Sequence, residues 1–156
     1  MKRFITATMA ALIFVLAFAG CGSKTADLKK VLGDINSKYS DATKGLKELT
    51  ETKDLDNYYY IPEKYVKQFA AEINPDTSTA PVEIVLVEAN DKEGADEVKK
   101  ALDTRFQSVK STYASYSPKE VERVNKCSVT QSGNYVTLVV ADDYDGIMEI
   151  VNAAIK

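Results

Sequence analysis

Apolar residues recur at helical spacing from Leu28 through Val31, Leu32, Ile35 and Tyr39, one stripe on a polar background. This spacing predicts an amphipathic helix, with Thr25 placed to cap it. From Ser40 to Lys53 the pattern thins to Leu46 and Leu49 among polar residues, which reads as a loop or an irregular helix. In DLDNYYYIPEKYVKQFAAEI, Pro62 suits the first position of a helix, because its φ is preset and its missing N–H is not needed there. Tyr65, Val66, Phe69 and Ile73 follow at helical spacing, and NPDTSTAP, residues 74–81, breaks that pattern.

Branched apolar residues dominate VEIVLVEA, residues 82–89, which predicts a strand followed by a polar turn from Asn90 to Gly94. The longest helix is predicted from Ala95 to Tyr116, with Val98, Ala101, Leu102, Arg105, Val109, Thr112 and Tyr116 along one seam and Arg105 snorkelling at its edge. Ser117, Pro118 and Glu120 have the spacing of a capping box with Pro at the first helical position, so a short helix should run to Asn125. Residues 127–141 read as a hairpin turning at Ser132-Gly133, and a last helix starts near Asp142 or Asp143.

After residue 80 the element order is therefore β-α-β-β-α. Residues 84–87 and 136–141 are almost continuously apolar, which predicts neighbouring strands covered on both faces. A right-handed crossover by the long helix, skipping one position, puts the 134–141 strand in the centre. The expected fold class is α+β: a small, mainly antiparallel three-stranded sheet packed by helices and preceded by N-terminal helices.

Lys2 and Arg3 precede an uncharged run from Phe4 to Gly20, the layout of a secretory signal. That run is shorter than the ~20 residues that span a bilayer. Phe18-Ala19-Gly20-Cys21 resembles a bacterial lipobox. The resemblance implies diacylglyceryl attachment to the Cys21 thiol and cleavage before it, which makes Cys21 an anchor. The chain thus divides into residues 1–20 as a lipoprotein signal peptide, 21–24 as lipidated cysteine and short tether, and 25–156 as a single α+β domain. A tether this short reaches only ~10 to 15 Å, so the domain is expected close to the extracytoplasmic face of the cell membrane.

Cleavage at Cys21 leaves 136 of the 156 residues, enough for one domain, and shifts the net charge from −3 to −5. An acidic chain argues against nucleic acid as a partner. Lipidation of Cys21 leaves Cys127 without an intrachain partner, and its alternating neighbours suggest a buried small apolar side chain. With no histidine in the chain, Ser-His-Asp and Cys-His pairs and imidazole bases are excluded. No metal spacing or cofactor motif is present, so no cofactor is expected.

Tyr58, Tyr59, Tyr60, Tyr65 and Phe69 form the most unusual cluster, and its four tyrosines are the candidate ligand or partner surface. Aromatic platforms bind sugars, bases and cations. Three successive residues cannot face one way, however, so division between core and surface is expected. The acids of ADDYDGIME miss the ligand positions of a calcium loop and suit a helix start. Glu88, Asp91, Glu93 and Asp96 read as a solvated turn.

From Thr25 onward the chain resembles a family of small bacterial lipoproteins catalogued as Domain of Unknown Function 4358. LKKVLGDINSKY, YYYIPEKYVKQFAAEI, EIVLVEANDKEGADEVKKAL and QSGNYVTLVVADDYDGIMEIVNAAI carry the resemblance. It implies a lipid-anchored envelope domain and brings no activity or catalytic residues. The expectation is a non-enzymatic accessory or binding module that meets an envelope protein or cell-wall component. The alternative is a carboxylate-dependent cell-wall or glycan hydrolase.

Overall fold

The computed structural model describes residues 25–76, 80–115 and 118–155. The leader, Cys21 and its tether, and Tyr116 and Ser117 lie outside these. In order, the elements are α1 (Leu28–Lys38), α2 (Ser40–Thr43), β1 (Lys47–Leu49), α3 (Thr52–Tyr59), a single 3-10 turn (Glu63–Tyr65), β2 (Val66–Ile73), β3 (Glu83–Ala89), α4 (Lys92–Tyr113), α5 (Pro118–Lys126), β4 (Ser128–Ser132), β5 (Tyr135–Val140) and α6 (Tyr144–Ala154). No helix among the described residues is long and apolar enough to cross a membrane.

The sheet is antiparallel throughout, with five strands in the order β1-β2-β3-β5-β4. Three strands were expected, and the two additional ones lie where a helix and a loop were read. β2 pairs with β3 from Val66↔Ala89 to Ile73↔Glu83, so VKQFAAEI is a strand and not a helix after Pro62. Its apolar residues satisfy both periods. Phe69, Ala71 and Ile73 alternate toward one face, while Gln68, Ala70 and Glu72 meet α1 and its lead-in on the other. Leu49 is the buried end of the three-residue edge strand β1, too short to leave a periodic signal. β5 lies between β3 and β4, as expected for the three predicted strands, and the addition of β1 and β2 makes β3 the middle of five. The crossover from β3 through α4 and α5 to β4 skips β5, as the sequence implied.

Helices cover both faces. Leu55 and Tyr59 of α3, Val98, Leu102, Phe106, Val109 and Tyr113 of α4, and Val124 of α5 pack on one side. Leu28, Val31, Leu32 and Ile35 of α1 and Ile147, Met148 and Val151 of α6 pack on the other. Every residue of β3 is therefore buried, including Glu83 and Glu88. Full burial of a Leu or Ile side chain is worth ~1.5 to 3 kcal/mol, so the two apolar layers supply the main driving force.

Local chemistry sets the ends of these elements. The Asp27 carboxylate, not Thr25, caps α1 by accepting from Lys30 N at 3.1 Å. The β4–β5 hairpin turns at Gly133, whose φ of 58° suits a residue without Cβ. Among the acids read as a solvated turn, Glu88 is a core residue bound to Lys67 Nζ at 2.7 Å and to Gln68. Asp91 caps α4.

Candidate functional site

A groove of about 630 Å³ runs between the α3 end with its following turn and one flank of α4. Tyr58, Tyr59, Tyr60, Pro62, Lys64 and Tyr65 form one wall, and Glu97, Lys100, Ala101, Thr104, Arg105 and Ser108 form the other. All four tyrosines singled out in the sequence therefore share one site, whereas Phe69 of the same cluster is on β2 and packs against the core. Their roles differ, because the chain turns between them.

α3 begins with a capping box in which Glu51 and Asp54 side chains and backbones satisfy each other. It ends at Tyr60, which adopts the left-handed conformation (φ 57°, ψ 36°) and donates its N–H to Asp56 O at 2.9 Å. Helical spacing sends Tyr59 inward, where it is 1% exposed, and leaves Tyr58 half out. Tyr60 stands 82% exposed at the rim. Tyr65 packs partly on the core, with Lys64 Nζ 4.6 Å from its ring centroid.

The 3-10 turn is held against the start of α4. Asn90 donates from its backbone to Tyr65 O at 3.0 Å and from its side chain to Lys64 O at 2.7 Å. A Cβ on Gly94 would stand 3.3 Å from that same Tyr65 carbonyl, so only glycine fits comfortably. These contacts fix the position of the Lys64 and Tyr65 backbone relative to α4.

Behind the groove lies a buried polar triad that sequence reading missed. Tyr59 Oη donates to Glu83 Oε2 at 3.1 Å, and Arg105 Nε donates to both Glu83 carboxylate oxygens at 3.2 Å. The Arg105 guanidinium also sits 5.9 Å from the Tyr59 ring centroid. Arg105 is not a snorkelling edge residue. It ties α4 to β3 while its exposed edge lines the groove. The one usable signal was Glu83 at the head of an apolar strand, since a covered carboxylate calls for a cation and a donor.

Burial pushes the Glu83 carboxyl above its ordinary value of 4.5, although Arg105 and the Tyr59 hydrogen bond pull it down. Burial, aided by the Glu83 charge, holds the Tyr59 phenol well above 10.0. The raised Glu83 value has a definite sign for stability. Its contribution is complete below the unfolded value near 4.5 and is lost as pH rises through the folded value. A Glu83→Gln protein resembles the protonated form and is spared that loss. Urea unfolding of the two proteins should therefore show the difference moving in favour of the variant between pH 4.5 and 7. A pH-independent difference would contradict the burial argument. Glu72 is also raised by burial, but it is common to both proteins and cancels.

Several carboxylates elsewhere are engaged. Asp142, read as part of a helix start, forms a two-point pair with the buried Arg123, Nε to Oδ1 at 2.7 Å and Nη2 to Oδ2 at 2.9 Å. The Arg123 bond holds Asp142 below the usual carboxylate range. Asp96 and Asp103, on another flank of α4, pair with Lys92 and Lys99. Cys127 is buried, its thiol 3.1 Å from Arg123 O and pushed up by burial, consistent with a packing residue. No group of three metal-ligating side chains occurs among the described residues.

Residues 38–141 match the model of a known family, described as Domain of unknown function (DUF4358). That span includes all five strands and every residue lining the groove. No curated protein and no solved structure matches the chain.

Proposed function

Since the chain belongs to this family, whose function is undefined, we propose from its own leader and groove that it is a lipid-anchored extracytoplasmic binding module. In this reading a diacylglyceryl group on Cys21 holds the domain beside the cell membrane, and the groove receives an envelope component. The protein acts as a non-enzymatic accessory of the cell envelope.

The observation that carries the binding role is the convergence of exposed aromatics and cations on one concavity. Among the described residues, the large hydrophobic side chains left exposed are Tyr58 and Tyr60, and both line the groove. Small-ligand sites commonly enclose ~300 to 1,000 Å³ with apolar walls and a few polar groups. The alternative, a carboxylate-dependent wall or glycan hydrolase, calls for two carboxyls opposed across a cleft. The groove lining holds one, Glu97, which lies 4.0 Å from Lys100.

Site-specific photocrosslinking from the membrane-anchored protein tests the reading. A benzophenone side chain at Tyr60 should capture envelope material, whereas the same group at the exposed Asp34 on α1 should capture none. Equal capture from both positions, or none from Tyr60, would rule out the groove as the functional face.

A further inference from the structure

The groove has a chemistry more specific than that of a general aromatic surface. Lys64, Lys100 and Arg105 line it, with Glu97 4.0 Å from Lys100 and the buried Glu83 behind Arg105, on a chain of net charge −3. The lining also carries hydroxyls on Tyr58, Tyr60, Tyr65, Thr104 and Ser108. Aromatic faces suit the C–H face of a sugar ring, hydroxyls suit its hydroxyls, and cations suit an acidic substituent.

Arg105 is prepared for such a substituent. A guanidinium has five N–H donors, and among the described residues only Nε is hydrogen-bonded, to Glu83. Anchoring from behind fixes the plane of the fork while its terminal amino groups remain for a ligand. A pre-positioned fork loses less side-chain freedom on binding than a free one does.

Tyr60 adds an independent sign of selection for binding. A left-handed backbone costs a non-glycine residue roughly 1 kcal/mol, and glycine is the usual occupant of this position after a helix. A bulky ring held there, almost fully exposed over the groove, contributes little to the fold. Local strain of this kind concentrates where a side chain serves a ligand.

We infer that the groove binds a carboxylated saccharide, a sugar ring lying against Tyr58 and Tyr60 and its carboxylate meeting Arg105, Lys64 and Lys100. This rests on the groove being the functional face. It adds the class of ligand.

Calorimetric titration of the full-length protein in detergent with trigalacturonate and with its trimethyl ester compares the same rings with and without charge. The acid should bind at least 10-fold more tightly than the ester. A Lys64→Ala, Lys100→Ala double variant should weaken the acid at least 10-fold more than it weakens the ester. A Tyr60→Gly variant should weaken both ligands while its thermal midpoint rises by a few degrees, a combination that misfolding cannot produce. The disaccharide N-acetylglucosamine–N-acetylmuramic acid, set against di-N-acetylglucosamine, tells a wall amino sugar from a uronic acid as the source of the carboxylate. Equal binding of acid and ester, or no binding of any acidic sugar at 10 millimolar, overturns the inference. If Tyr60 nonetheless crosslinks envelope material, the ligand class alone is wrong; if it does not, the groove reading fails with it.

Discussion

Replacing Arg105 with Leu is expected to destabilise the domain by about 3 to 5 kcal/mol at pH 7, the usual penalty for removing one partner of a buried ion pair. Glu83 is 1% exposed and would be left with the Tyr59 hydroxyl as its remaining side-chain partner. For a domain of this size the midpoint should fall on the order of 10 to 20 °C. The loss should shrink toward pH 5, because a neutral Glu83 no longer needs the cation. Adding Glu83→Gln to Arg105→Leu should recover at least half of it, since the uncompensated charge is then gone. Differential scanning calorimetry of the single and double variants reads all three effects. A single-variant loss under about 1 kcal/mol at pH 7 would mean that water reaches Glu83 and that the triad does not hold α3, β3 and α4 together.

The second large effect is expected in location. With Cys21→Ala, fractionation should find almost none of the protein on the membrane, or find it stalled as the unprocessed precursor. A diacylglyceryl group carries two acyl chains, and at about 0.8 kcal/mol per buried methylene two chains anchor stably where one binds only reversibly. No helix among the described residues is long and apolar enough to span a bilayer. Retention of Cys21→Ala on the membrane with normal gel mobility would defeat the lipidation proposal. It would not touch the groove, which is built from residues 58–108.

Strong, single-period signals in the sequence survived folding. α1, α4, α5, α6 and the β4–β5 hairpin all stand where periodicity and turn residues put them, within a few positions at their ends. β2 was misread because Phe69, Ala71 and Ile73 fit a strand while Tyr65, Val66, Phe69 and Ile73 fit a helix. Pairing with β3, a long-range interaction, decides between the two. In α4 the buried seam runs through Phe106 and Tyr113, which puts Arg105 on the flank within reach of the Glu83 carboxylate on β3.

The tyrosine cluster was legible as composition but not as geometry. A run of three tyrosines announces itself, yet which ring is buried depends on where α3 stops. That stop is set by the left-handed turn at Tyr60 and the burial of Ile61. The opposite wall of the groove, Glu97 to Ser108, lies some forty residues away in the chain and carries no motif. Only the packing of α4 beside α3 brings it there.

By itself, then, the sequence determined the α+β class, the near-continuous burial of β3 and β5, and the absence of imidazole chemistry, because composition and short-range periodicity are properties of neighbouring residues. Tertiary structure decided the strands β1 and β2, the Tyr59–Glu83–Arg105 triad and the groove above it. Each of these depends on residues far apart in the chain, and a buried carboxylate can be recognised as paired only when the cation that reaches it is seen in place.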